Sequence, residues 1–450
     1  MLRLQRRSLV LGLAALLLVA SSIPFLAQQP QPATPSRIVL GWSADPATSQ
    51  AVTWRTVDSV ADPRAQIANA PPGPAIEKSA TTVAARATRV ELPGGGTVFH
   101  YLAQFEGLKP ATRYVYRVGD GKTWSEWFAF VTASRNPAPF RFIYLGDAQN
   151  GLNDTWPRTV RAAYASAPDA RLLVHAGDLV GEGYDDRLLG QWVAGFGFIA
   201  ATVPSLPAPG NHDEHRAPSS SDASKAMEVP AVWRAHFALP ANGPKLPGLE
   251  GQNYSLDYQG VRFIAVDANP FANDAYVETA RANVQQTILA WLDTLLAHNP
   301  NRWTIVVQHQ PLYSIAKGRD YPEMRAALGG LYDRYHVDLV LQGHDHAYAR
   351  THKVNGGRVV RSDEPGTIYT ISVAGSKMYE TATVHEKLLA TIISNVQLYQ
   401  VIAVEGDRLT YQSFTADGHQ ADAFQLMKTA AGSEYRTGSI TAPLLPSGGQ

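Results

Sequence analysis

Between residues 140 and 346 the chain carries five apolar runs, RFIYLGD, RLLVHAGD, VRFIAVD, RWTIVVQH and VDLVLQGH, that are continuous rather than alternating. A strand with one wet face alternates apolar and polar residues, so unbroken runs predict strands covered on both faces. Between them lie the helical patterns WPRTVRAAYASA, ARANVQQTILAWLDTLLAH and YPEMRAALGGLYDRYH. Strands alternating with helices predict an α/β domain. Strands return at TIYTISVAGS and at LYQVIAVEGDRLTYQSFTADG, the latter a hairpin turning at Glu405 to Asp407.

Upstream the pattern changes. The runs RIVLGWS, QAVTWRTV, TVFHYLAQFEGL, TRYVYRVGD and EWFAFVTA are short and β-rich, and Asp-Pro, Pro-Pro-Gly-Pro and Gly-Gly-Gly breaks separate them. That spacing predicts a small all-β sandwich. A length of 450 residues fits two such domains. The expected layout is a signal segment at 1–27, a Pro- and Gln-rich spacer at 28–36, a β-sandwich at 37–133, an α/β domain at 140–428 and a flexible tail at 429–450.

The N-terminus reads as an export signal, because Arg3, Arg6 and Arg7 precede an uncharged run from Ser8 to Ala27. Its Gln-Arg-Arg-Ser-Leu-Val-Leu stretch resembles a twin-arginine signal, and an ordinary basic leader is the alternative. Periplasmic or secreted localisation follows; an uncleaved segment would instead anchor the chain to a membrane. Lys plus Arg and Asp plus Glu balance at 39 each, so no net field favours nucleic acid. The chain has no cysteine, which excludes thiolate metal sites and thiol catalysis and leaves N and O donors. No sequence signal sets the oligomeric state.

Ligand-type residues sit just past the ends of the apolar runs. Asp147 follows RFIYLG, Asp178 follows LLVHAG, Asn211 follows VPSLPAPG, His309 follows TIVVQ, and His344 and His346 follow VDLVLQG. Strand C-termini form the rim where α/β sheets bind ligands, so these scattered residues are expected to converge. Asp, Asn and imidazole suit divalent metals, and a carboxylate can bridge two ions. A Gly-Asp pair alone is commonly a turn, but Gly-Asn-His-Asp at 210 to 213 and Gly-His-Asp-His at 343 to 346 are rare by chance.

The series GDAQ, GDLV, GNHD, VVQHQPLY and GHDHAYAR resembles the calcineurin-like metallophosphoesterase superfamily, and within it the purple acid phosphatases. VLGWSADPATSQAVTWRT and LKPATRYVYRVGDGKTWSEWFAFVT are similar to the fibronectin-like N-terminal domain of that family's large members. The resemblance covers residues 37 to 428. It implies a four-layer metallophosphoesterase β-sandwich flanked by helices, preceded by a small fibronectin- or immunoglobulin-like all-β sandwich.

It also implies a two-metal site taking Fe, Zn or Mn. Asp178 would bridge, with Asp147 and His346 on one ion and Asn211, His309 and His344 on the other. A metal-bridging hydroxide would be the nucleophile for in-line attack, and His212 would contact the phosphate or protonate the leaving oxygen. Phosphate monoesters, as small phosphorylated substrates, are the first expectation. A phosphodiesterase with the same metals is the second, and a non-catalytic surface binding module the third.

Two departures qualify the resemblance. Purple acid phosphatases carry a tyrosine three residues after the bridging aspartate, where this chain has Gly181. The colour-giving phenolate is therefore not expected, although Tyr184 stands three residues further along. Gln149 occupies the place where the superfamily often has a histidine ligand, and reads as a seventh metal ligand, direct or through water, or as a neighbour of the ligands. Asn150, His215, Asp345, Tyr313 and Tyr348 flank the motifs as candidates for shaping substrate contact. His175 reads as core, and Lys317 and Arg319 as basic groups able to discriminate mono- from diesters.

Overall fold

The computed structural model describes residues 33–214, 227–272, 278–429 and 432–437. The expected signal segment, His215 and residues 438–450 lie outside them. Among the described residues no helix is long and apolar enough to cross a membrane.

The chain first builds two four-stranded antiparallel sheets. One orders the strands Ser36–Gly41, Gln50–Thr56, Thr97–Phe105 and Arg86–Glu91; the other orders Thr81–Ala84, Arg64–Asn69, Arg113–Gly119 and Phe128–Val131. Alternate residues of these strands point inward, so Leu40, Val52, Trp54, Tyr101, Phe105, Tyr116 and Phe130 form one apolar core. Ser36, placed in the spacer by the sequence reading, already belongs to the first strand, and its hydroxyl donates to the Arg55 carbonyl at 3.0 Å.

Two seven-stranded mixed sheets follow. The first orders Ser205–Ala208, Leu173–Ala176, Phe140–Leu145, Leu398–Glu405, Arg408–Thr415, Gln420–Thr429 and Gly432–Thr437. The second orders Tyr254–Tyr258, Val261–Val266, Trp303–Gln308, Leu339–Gln342, Ile368–Ile371, Tyr348–Thr351 and Leu389–Ile393. Phe140, Phe142, Val174 and Leu206 of one sheet share a core with Leu256, Phe263, Ile305 and Leu341 of the other. The opposite face of the first sheet packs on the helices Thr155–Ser166 and Asp186–Phe196. That of the second packs on Glu278–Ala297 and the helical stretch from Pro322 to Arg334. The result is a helix, sheet, sheet, helix layering. It accounts for the unbroken apolar runs, since Leu173–Ala176, Trp303–Gln308 and Leu339–Gln342 are buried at every position.

The tail expectation is corrected in part. Gly432–Thr437 forms an edge strand in register with Phe424 to Thr429, because Tyr435 packs on the inter-sheet core and Ser433 is buried.

Candidate metal centre

The parallel strands of both sheets end on the same rim. Phe140–Leu145, Leu173–Ala176 and Ser205–Ala208 run parallel, and the chain beyond them carries Asp147, Asp178 and Asn211. Trp303–Gln308 and Leu339–Gln342 run parallel in the facing sheet and lead into His309, His344 and His346. The glycines of these loops permit the close approach. A Cβ at Gly177 would stand 2.6 Å from His309 Nδ1, and one at Gly210 would collide with the Asp178 carboxylate.

Among the described residues two groups could each hold a metal ion, Asp178 with His309 and His344, and Asp147 with Asp178 and His346. All these side chains are buried, and Asp178 belongs to both groups. His309 Nε2 lies 3.2 Å from Asp178 Oδ2, 3.1 Å from His344 Nδ1 and 3.1 Å from Asn211 Oδ1. His346 Nε2 lies 3.5 Å from Asp147 Oδ1. The six residues therefore come together as two sets that share one carboxylate.

Each imidazole has its outer nitrogen engaged. His309 Nδ1 meets the Ala176 carbonyl at 2.7 Å, His346 Nδ1 meets the Lys377 carbonyl at 2.9 Å, and His344 Nε2 meets the Tyr321 hydroxyl at 2.8 Å. A donor nitrogen fixed by a carbonyl leaves the other as a lone pair facing inward, which is how metal-ligating histidines are oriented.

Burial and the mutual charges of the side chains set the electrostatics of the cluster. Burial drives the Asp147 carboxyl well above its usual range. Burial also opposes charge on the Asp178 and His309 pair, but their mutual attraction wins, pushing His309 up to about 9 and holding Asp178 below the carboxylate range. Burial lowers His346 to about 4 and His344 well below the ordinary imidazole value, which leaves both neutral as ligands must be. Asp147 Oδ1 is buried with no hydrogen-bond partner. A buried carboxylate oxygen without a donor is costly, and a bound cation is the partner that fits this donor set. The backbone carries strain at the same place: Asp147, Asp178, His344 and His346 adopt positive φ of 40°, 49°, 74° and 47°.

The remaining candidates divide. His212 is half-buried beside the pair; its backbone N–H donates to Asp178 Oδ1 at 2.8 Å and its Nδ1 lies 2.8 Å from the Gly181 carbonyl. Gln149 is buried at the centre with its amide nitrogen 2.9 Å from Asp178 Oδ2 and 3.1 Å from His346 Nε2. Tyr184 is exposed on the surface, where Glu182 raises its hydroxyl pKa. At Gly181 a Cβ would meet open space.

Several flanking residues turn out to be structural. Asp345 points away from its histidine neighbours and accepts from the Ser314 hydroxyl and the backbone N–H groups of Ile315 and Ala316. Tyr348 donates to Asp422 in the core, and Tyr313 is buried against Tyr369 and His385. Asn150, by contrast, has an exposed side chain, and its backbone carbonyl accepts from the Ser376 N–H. His175 is core, packed on Trp192 and Phe196, and burial lowers its pKa to about 3.

Sequence reasoning missed Tyr321 and Tyr379, whose rings lie 6.0 Å from His344 and 4.5 Å from His346. It also missed Asp213, which ties the Asn211 loop to the Asp178 loop by accepting from Gly210 and Leu179 N–H groups. The one available signal was the acid closing Gly-Asn-His-Asp.

Residues 35–132 match the family model for the purple acid phosphatase N-terminal domain, and residues 140–348 match that for calcineurin-like phosphoesterases. The chain carries a calcineurin-like phosphoesterase domain at residues 140–348. Its two-part layout is that of the purple acid phosphatases. It is 26% identical to human acid phosphatase type 7 over 76% of this chain and 77% of that protein. Identity is also 26% to the "probable inactive purple acid phosphatase 24" of Arabidopsis thaliana, of which the match spans only 57%. An uncharacterised Mycobacterium tuberculosis protein is matched over 62% of its length, so the chain covers less than two thirds of these two relatives. Among solved structures it resembles a purple acid phosphatase from yellow lupin seeds, with TM-score 0.66 and 18% identity over 87% of this chain and 74% of that one. It also resembles PhoD, with TM-score 0.64 and 13% identity over 92% and 94%. These likenesses carry the fold.

Proposed function

We propose that the chain is an exported two-metal phosphatase acting on phosphate monoesters. The observation that carries this reading is the pair of buried ligand groups sharing Asp178, with the Asp147 oxygen that lacks a hydrogen bond beside the His346 imidazole. Asp147, Asp178 and His346 would hold one ion, and Asp178, Asn211, His309 and His344 the other, with Gln149 completing the first set once its amide oxygen turns inward. Two ions in such a site polarise the phosphoryl oxygens and lower the pKa of water. The protein's own part is to hold the three imidazoles fixed, with His344 and His346 neutral, and to keep the carboxylates buried. His212 has Nδ1 engaged by a backbone carbonyl, which leaves Nε2 to contact the phosphate and, in the imidazolium form, to give its proton to the leaving oxygen.

The deciding experiment measures metal per chain together with hydrolysis of 4-nitrophenyl phosphate and bis(4-nitrophenyl) phosphate. Two equivalents of metal and monoester turnover are expected, with Asp178→Asn reducing turnover by about a thousandfold or more, the scale seen when a group central to transition-state charge is lost. A protein that binds two metals and cleaves neither ester is instead a binding module. The leader pattern in residues 1–27 supports export, which fractionation of the expressed full chain tests directly.

A further inference from the structure

We propose that Arg319 is the residue that makes the site prefer a doubly charged phosphoryl group, an inference that rests on the metal-site reading above. Two basic residues follow His309 in sequence, and their surroundings separate them. The Lys317 side chain is 70% exposed and pairs with Glu380, itself 81% exposed, so it is a solvated surface ion pair. The Arg319 side chain is only 30% exposed and is anchored at one end. Its Nη1 donates to the His344 carbonyl at 2.8 Å and reaches Asp345 Oδ1 at 3.4 Å.

The guanidinium carbon stands 5.0 Å from the centre of the Tyr379 ring, and that ring lies 4.5 Å from His346. Arg319 thus touches the backbone of one metal-binding candidate and the aromatic cover of another. The anchoring uses Nη1 alone, and Nε and Nη2 have no hydrogen-bond partner among the described residues. A cation held in place on a cation–π face costs little further ordering when it meets an anion, and its free edge presents two N–H donors in the fork that suits two phosphoryl oxygens. A monoester dianion offers a third unsubstituted, charged oxygen that a diester lacks. Arg319 would take it, with Tyr379 and Asp345 positioning the fork.

The test compares metal-loaded wild type with Arg319→Ala, Arg319→Lys and, as an exposed control, Lys317→Ala. Arg319→Ala should lower kcat/KM for 4-nitrophenyl phosphate by about 30-fold or more and for bis(4-nitrophenyl) phosphate by less than about fivefold, since a charge-assisted contact is lost in one case only. Arg319→Lys should fall between, and Lys317→Ala should match wild type. Calorimetry with inorganic phosphate supplies a readout independent of turnover, and Arg319→Ala should bind it about tenfold or more weakly at unchanged metal content. Equal losses for both esters, unweakened phosphate binding, or loss of metal from Arg319→Ala would each overturn the proposal. A wild type that binds phosphate through Arg319 but hydrolyses nothing would overturn the phosphatase reading instead and leave the role of Arg319 standing.

Discussion

At the scale of single residues, the centre is a place where the polypeptide is held against its own preferences. Asp147 combines a positive φ, full burial, an oxygen with no donor and a second carboxylate, Asp178, close by. Non-glycine residues in such backbone cost about 1–3 kcal/mol each, and metal binding is the interaction positioned to offset that cost. Asp147→Asn separates the two contributions. Asparagine tolerates left-handed backbone better, keeps an acceptor for the His344 N–H that now donates to Asp147 Oδ2 at 2.7 Å, and removes the like charge. In chelator the variant should therefore melt a few degrees above wild type, whereas with metal the order should reverse. Thermal unfolding in both conditions measures this, and a lower Tm in chelator refutes the strain account. The six clustered residues were readable from sequence because each lies just past a strand end, all but His309 in a short Gly-punctuated motif. Asp345 was less legible for a local reason: the chain bends at Gly-His-Asp-His, with His344 and His346 at positive φ, and the acid between the histidines turns to the Ser314 loop. Tyr379 and Arg319 were not recognisable as partners, because 60 residues separate them and only the folded loops bring them together.

At the scale of elements, the long helices were readable from their apolar period and the central strands of the α/β part from their unbroken runs. The helix Asp186–Phe196 was not, because Gly190 and Gly195 interrupt its pattern. Its start was nevertheless encoded, since Asp185 caps it by accepting from the Arg187 and Leu188 N–H groups. The strand-to-loop joins set the precision of the centre. Gly177 has φ of +80°, and its missing side chain admits His309 Nδ1 to the Ala176 carbonyl. Gly177→Ala should cost at least about 1–3 kcal/mol from the backbone alone and turn the His309 ring. The expected outcome is a lowered urea midpoint together with less metal per chain, while Gly94→Ala, where a Cβ meets nothing, changes neither. Unaltered metal content in a folded Gly177→Ala protein would show that this loop does not set the site.

At the scale of the whole molecule, the β-sandwich and the α/β part are joined by a polar seam that composition could not reveal. Arg37 and Arg55 converge on Asp186, the Tyr116 hydroxyl donates to the Ala201 carbonyl at 2.6 Å, and the Thr53 hydroxyl donates to the His236 carbonyl at 2.6 Å. Within this seam the rings of His100 and His236 meet edge to face at 4.7 Å, both buried, each with an Nε2 lacking a hydrogen-bond partner. Neither histidine belongs to a sequence motif, and only the folded seam pairs them. Burial lowers His100 to about 4, Asp186 opposing and Arg55 and Arg37 reinforcing that shift; burial and His100 lower His236 well below the ordinary imidazole value. An unfolded histidine takes up its proton near pH 6.5, so between that value and about 4 the unfolded chain binds a proton that the folded chain refuses. The seam's contribution is complete above about pH 6.5 and is lost as the pH falls, by about 3 kcal/mol for His100 over this range. Urea midpoints should therefore drop steadily from pH 7 to pH 4.5, and His100→Gln, which cannot take up a proton, should flatten that slope. Parallel pH profiles for the two proteins would place the acid sensitivity elsewhere. A shallower slope in the variant would make the junction between the two parts, rather than the metal centre, the feature that limits how acidic a medium the folded protein withstands.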